Sequence, residues 1–176
     1  LDSVSKDASF LEYRYTIKGN DYRVGFDIIS HNLNEVITDD SNLEFVWESK
    51  LRMKEKDGSV ENKSTSVYYL LKDEVEYLKE NGVDDKKEEN GVPVKWISYK
   101  QQFFSTALIS NTGEGFISST MQSQTEKGQK DNYLRTMSSN ISIPFDKEKN
   151  HYEYDMEFFF GPNKYAVISD YDLQME

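Results

Sequence analysis

A two-residue alternation of apolar and polar side chains recurs along most of this 176-residue chain. Leu11, Tyr13, Tyr15 and Ile17 alternate with Glu12, Arg14 and Thr16. After the turn Lys18-Gly19-Asn20-Asp21, Tyr22, Val24, Phe26 and Ile28 alternate with Arg23, Gly25 and Asp27. Residues two apart share a face of a strand but not of a helix, so the pattern points to half-buried β-sheet. Two such runs around a short Gly/Asn/Asp turn predict an antiparallel hairpin. Slipping a strand by one residue would bury its charges, so the same pattern specifies register.

The alternation continues through Leu43, Phe45, Trp47, Leu51 and Met53, against Glu44, Glu48, Lys50, Arg52 and Lys54. Lys56-Asp57-Gly58-Ser59 interrupts it, and Thr65 to Leu71 returns as a β-rich run. Val94–Tyr99, Phe104–Ile109, Phe116–Met121, Tyr133–Met137 and Asn140–Phe145 are further strand candidates. The strongest is Tyr152, Tyr154, Met156, Phe158 and Phe160 against His151, Glu153, Asp155 and Glu157, which predicts one aromatic stripe buried whole. Asp73, with Glu76 three residues on and Leu71, Val75 and Leu78 along one side, predicts a short helix ending at Asn81-Gly82. Asp84 to Gly91 reads as a charged loop, Thr112-Gly113-Glu114-Gly115 as a hairpin turn, and Asn163 to about Ser169 as a second short helix after Gly161-Pro162. Many antiparallel strands with little helix predict a mainly β, antiparallel β-sandwich forming a single domain over residues 1–176.

Composition narrows function. Lys and Arg number 21 against 32 Asp and Glu, a net charge of −11 that repels phosphate backbones, so no nucleic-acid partner is expected. There is no cysteine, which removes disulfides, thiolate metal sites and Cys nucleophiles. With two histidines, three-His zinc sites are excluded as well. The Asp39-Asp40, Asp84-Asp85 and Glu88-Glu89 pairs read as solvated charge, and His31 and His151 as surface residues. Asn62-Lys63-Ser64 and Asn140-Ile141-Ser142 match the glycosylation triplet no more often than chance allows. Neither a cofactor, a metal nor a catalytic residue is expected. The apolar runs are far shorter than a membrane span. The chain starts at Leu1 with no initiator Met or signal-peptide pattern and reads as a piece of a longer protein.

Two segments are more specific: Val94-Lys95-Trp96-Ile97-Ser98-Tyr99-Lys100-Gln101-Gln102-Phe103-Phe104, and Phe158-Phe159-Phe160-Gly161-Pro162-Asn163-Lys164-Tyr165. In this order they resemble the periplasmic domain of the bacterial membrane protein insertase family YidC, in its Bacteroidetes form. There a Trp-led strand ends in Gln-x-Phe-Phe or Gln-x-Tyr-Phe, and a later strand ends in Gly-Pro-Lys-x-Tyr at the approach to the membrane. Carried over residue by residue, the motif positions are Trp96, Gln101, Phe103, Phe104, Gly161, Pro162, Lys164 and Tyr165. Asn163 displaces the lysine by one position. Trp96 and Phe104 are expected in the core.

The resemblance implies a supersandwich of the galactose mutarotase-like kind, here its C-terminal part, with the transmembrane regions outside this sequence. It also implies a non-enzymatic accessory domain on the periplasmic face of the inner membrane. The parent would insert and fold membrane proteins, alone or with the Sec translocon. Its partners would be SecF-like components and nascent membrane proteins, and Gly161 to Asp170 would lie at the membrane-proximal end. Two rival readings follow from the same architecture: a carbohydrate-binding sandwich, or an aldose epimerase needing His31 or His151 on a concave sheet surface beside a Glu.

Overall fold

A computed structural model describes residues 8–37, 42–126, 133–171 and 173; the Asp39-Asp40 pair lies outside these. The alternating segments form ten antiparallel strands: β1 (Phe10–Ile17), β2 (Arg23–His31), β3 (Leu43–Arg52), β4 (Ser66–Leu71), β5 (Glu74–Tyr77), β6 (Asp85–Lys100), β7 (Phe104–Ser110), β8 (Phe116–Thr125), β9 (Tyr133–Ile143) and β10 (His151–Pro162). They pair in the order β1-β2-β10-β7-β6-β8-β9-β3, with β4 beside β6 and β5 beside β4. The mainly β expectation holds, and so does the β1–β2 hairpin, in which Tyr15 faces Phe26 and Tyr13 faces Ile28.

The sheet curls over because β6 serves two neighbourhoods. Its first part pairs with β8 and its last part with β7, with a register shift between Asn90 and Val94, where Gly91 takes a positive φ of 72°. The chain bends there, and the two halves of the sheet turn their inner faces toward each other. Across the gap, the Trp47 ring stacks on Tyr99 at 3.9 Å between centroids, and Phe45 packs on Phe26 at 5.6 Å. The Tyr99 hydroxyl donates to the Trp47 carbonyl at 2.9 Å and lies 2.9 Å from the Ser139 hydroxyl; burial raises its pKa. Ile28, Leu108, Met121, Ile141 and Met156 fill the remaining core between the halves.

Four expectations about secondary structure are corrected. Residues 73–82 are not helical: Glu74–Tyr77 is a strand that returns along β4 after Lys72, whose φ is +56°. Glu74-Val75-Glu76-Tyr77 alternates as cleanly as Leu71, Val75 and Leu78 fit a helix. The edge of β4 decides, because a helix of that length is marginal alone. The Asp84–Gly91 run is largely the start of β6, where like-facing opposite charges pair: Lys86 with Glu88 at 3.5 Å and Lys87 with Glu89 at 3.6 Å. Thr112 to Gly115 is no hairpin turn. β7 and β8 are both antiparallel to β6, so they run end to end along it, with this loop between them. Finally, Tyr133–Met137 and Asn140–Phe145 merge into the single strand β9.

Two short α-helices lie among the described residues. In α1 (Gly58–Lys63) the Asp57 carboxylate caps the helix by accepting from Ser59 N at 3.0 Å, so the sequence interruption at 56–59 is also a helix start. α2 (Tyr165–Ile168) continues into a 3₁₀ turn over Ser169–Tyr171, as expected after Gly161-Pro162. This C-terminal segment covers part of the outer face. Ile168 and Leu173 pack there on Trp96, Ile109, Ala107 and Phe159 as a second core. The β10 stripe is corrected accordingly: Tyr154 and Met156 are buried and Phe158 is partly buried, but Phe160 is 50% exposed and Phe159 is fully buried.

Candidate functional site

β7 and β10 bring the two sequence motifs together, with Pro162 opposite Phe104 and Gly161 opposite Ser105. Asn163 then ties them. Its backbone N–H donates to Phe103 O at 2.8 Å, its Nδ2 donates to Gln101 O at 2.6 Å, and its Oδ1 accepts from the Ser105 hydroxyl at 2.7 Å. Gln101 reaches further, donating through Nε2 to Arg52 O at 3.3 Å, and its own N–H donates to Phe104 O at 2.9 Å. The residue that interrupts the motif spacing is therefore the one that joins the motifs. Its signal was chemical: an amide carries both a donor and an acceptor end, which a lysine cannot offer. Asn163→Ala leaves the Gln101 carbonyl and the Ser105 hydroxyl without their partner. Denaturant titration should show a loss of about 1–3 kcal/mol.

The other motif positions divide into packed and presented. Trp96 is buried in the outer core, as expected. Phe104 is not: it is 60% exposed, Phe103 54% and Tyr165 70%. Phe104 shares the inner face with Thr106 and Leu108 but stands at the first position of β7, past the end of the covering half-sheet. Gly161 is buried, and a Cβ there would strike the Phe159 ring. Lys164 is exposed at the N-cap of α2 and makes no side-chain capping bond. Gln101, Phe103 and Phe104, with Lys54, Glu55 and Glu61, line an open groove of about 350 Å³ beside this end.

At the opposite end, His31 and His151 are direct cross-strand partners with ring centroids 4.9 Å apart. His31 Nε2 lies 3.0 Å from Glu12 Oε2, a hydrogen bond that lowers the Glu12 pKa, and Phe10 stacks on His31 at 4.2 Å. By register they share the outer face with Asp27 and Asp155, turned away from the inner face that an epimerase site would need. Both Trp rings are engaged in packing, Trp96 in the outer core and Trp47 on Tyr99. The described residues contain no group of three or more His, Asp or Glu placed to hold a metal ion, and no helix long and apolar enough to cross a membrane.

On the same outer face Asp27 sits opposite Asp155 in a groove of about 280 Å³. Burial first, then the Asp155 and Glu153 charges, raises the Asp27 pKa, with Glu12 adding to the rise and Arg14 opposing it. A raised carboxyl favours the protonated folded form. Its stabilising contribution is present below the unfolded value of about 4 and is lost as pH rises through the folded value. Asp27→Asn should therefore raise the thermal midpoint at pH 7. That advantage over the parent should fade as pH falls toward about 4; an advantage that is constant with pH would contradict this assignment.

Known proteins of similar sequence identify the family. A family model described as the YidC periplasmic domain matches residues 1–176. The chain belongs to that family. A protein named membrane protein insertase YidC from Parabacteroides distasonis is 35% identical over 168 residues, covering 94% of this chain and 25% of its own length. Its namesake from Azobacteroides pseudotrichonymphae is 31% identical over 166 residues, covering 93% and 26%. The one from Porphyromonas gingivalis is 28% identical over 173 residues, covering 96% and 26%. The chain thus spans about a quarter of the length of these relatives. What it shares with the YidC proteins is their periplasmic domain.

Proposed function

We propose that this chain is an accessory domain of a membrane protein insertase, held on the periplasmic face of the inner membrane as the C-terminal part of a larger β-sandwich domain. It takes no part in bond chemistry. It serves as a platform for partners, namely Sec translocon components of the SecF kind and nascent membrane proteins, while the parent inserts and folds its substrates. The end carrying both motifs faces the bilayer and fixes the orientation of the domain. The observation that carries this reading is the Asn163 junction, which joins Gln101, Phe103 and Ser105 to the start of the C-terminal segment. A chain that leaves a sheet through three hydrogen bonds and a packed helix transmits orientation; one that leaves through a loose loop does not.

Complementation with the full-length parent tests this. Deleting Asn163 to Asp170 should impair insertion, whereas replacing the exposed Glu148 and Lys149, between β9 and β10, by Gly and Ser should leave it intact. Asp84 to Glu89 would be a poor control, because Asp85 to Glu89 lie within β6. Equal, undiminished insertion by both variants would remove the coupling role and leave the segment as packing alone.

A further inference from the structure

The end of the sandwich that carries the Asn163 junction also carries four large apolar side chains in water. Phe103, Phe104, Phe160 and Tyr165 are each half or more exposed. Phe104 and Phe160 lie on one face, since Phe104 pairs with Pro162 and Thr106 with Phe160, which makes the two rings diagonal neighbours. Phe103 sits at the tip of the β6–β7 turn, and its carbonyl holds Asn163. Tyr165 opens α2 two residues later. All four stand at this one end of the sandwich, Phe104 and Phe160 on the inner face and Tyr165 at the start of the segment that covers the outer face, so they cluster rather than scatter over the surface.

The charges around the patch point to its occupant. Lys54 lines the adjoining groove with Phe103 and Phe104, and Lys164 precedes Tyr165. Glu55 is the exposed acid of that groove. Glu61 is buried, and its carboxylate is turned inward onto the N–H groups of Lys54 at 2.9 Å and Glu55 at 3.1 Å. A chain of net charge −11 thus ends in aromatic rings flanked by ammonium groups. Aromatic bodies with lysines at their rim match the headgroup level of a bilayer, where rings enter the acyl boundary and ammonium groups meet phosphates. The rings stand on a turn, two strand ends and a helix start. Phe103 and Phe104 border the groove, while Phe160 and Tyr165 stand outside it, so the four rings together do not form the wall of one slot.

We infer that Phe103, Phe104, Phe160 and Tyr165 dock this end of the domain onto a lipid surface, with Lys54 and Lys164 at the level of the phosphates. The inference rests on the reading that the junction end faces the bilayer, and it names what that end touches.

The absence of cysteine permits single-site labelling. The whole chain would be tethered through an N-terminal polyhistidine linker to phosphatidylcholine vesicles bearing chelator lipids. An environment-sensitive dye would be placed at Tyr165→Cys, or at Glu148→Cys near the opposite end. The dye at 165 should shift to the blue and lose emission to brominated acyl chains, and the dye at 148 should do neither. Phe103→Ser, Phe104→Ser and Phe160→Ser combined should abolish the response at 165 with circular dichroism unchanged; if that triple variant does not fold, Phe103→Ser alone, at the turn tip, should weaken it. No quenching at 165, equal quenching at both sites, or a blue shift that follows protein concentration without vesicles overturns the inference; the last would make the patch a contact between copies.

Failure of the two readings can be told apart. Lipid quenching together with harmless deletion of Asn163 to Asp170 would leave the docking and remove the coupling. Impaired insertion without quenching would keep the coupling and assign the patch to a protein partner instead of lipid, which overturns the inference.

Discussion

Phe159→Ala is expected to lower the stability of the domain by about 3–5 kcal/mol, the usual cost of emptying a buried aromatic site. Phe160→Ala, one residue along the same strand, should cost less than about 1 kcal/mol. The contrast follows from pleating: successive side chains of β10 point to opposite faces. Phe159 enters the outer core, with Tyr171 at 5.1 Å and Tyr22 at 6.1 Å between ring centroids, and it is fully buried. Phe160 faces inward at the uncovered end and keeps Phe158 at 5.7 Å as a ring neighbour. Gly161 reinforces the arrangement, since any Cβ there would strike the Phe159 ring; Gly161→Ala should therefore destabilise through Phe159 rather than through the backbone. Denaturant titration of the two Phe variants, with unchanged slope, reads the difference. A larger loss for Phe160→Ala would place the C-terminal segment on the wrong face of β10.

The same pair of residues shows what alternation can and cannot say. Period two correctly separates Tyr154 and Met156 from Glu153 and Asp155, because along that stretch of β10 one face is core and the other is wet. It fails at Phe158-Phe159-Phe160, where both faces are apolar and α2 covers the outer one. Burial then depends on what lies above each face, which strand periodicity does not carry. The β6 error has a related cause. Lys86 to Glu89 are charged on both faces and look like loop, yet opposite charges two apart pair along the strand, and β8 supplies the hydrogen-bonding edge. The two family motifs were legible as sequence. Their junction was not, because Asn163 looked like an insertion until β7 and β10 were paired. Phe104 was misplaced for a simpler reason: a Phe at a strand end has the residue type of the core but not the neighbours.

Arg135 left no mark on the sequence pattern, yet its replacement is expected to rank with the core aromatics. Its side chain is 1% exposed and all five guanidinium donors are engaged. Nε donates to the Ser123 hydroxyl at 2.8 Å. Nη1 donates to Asn62 Oδ1 and to the Thr125 hydroxyl, both at 3.2 Å. Nη2 donates to the Val83 carbonyl at 2.8 Å and to Asp84 Oδ1 at 3.2 Å. One side chain on β9 thereby holds α1, the chain entering β6, and β8. Burial pulls its pKa down while the Asp84 carboxylate opposes the change, so the site retains a charge only because its acceptors are complete. Asp84 is half exposed and Val83 is 45% exposed, so both can be rehydrated when the arginine is lost, and the cost comes chiefly from the buried Ser123 hydroxyl, the part-buried Asn62 amide and the lost packing of the buried arginine itself. At about 1–3 kcal/mol for each group that water cannot reach, Arg135→Met should cost about 3 kcal/mol or more. Arg135→Lys should recover little, because an ammonium carries three donors on a point and cannot span the fork. Asp84→Asn keeps an acceptor oxygen and should cost only about 1 kcal/mol. The order Met, then Lys, then Asn in denaturant midpoints is the measurement. A Lys variant as stable as the parent would show that charge, and not the five-donor geometry, holds this corner of the sandwich.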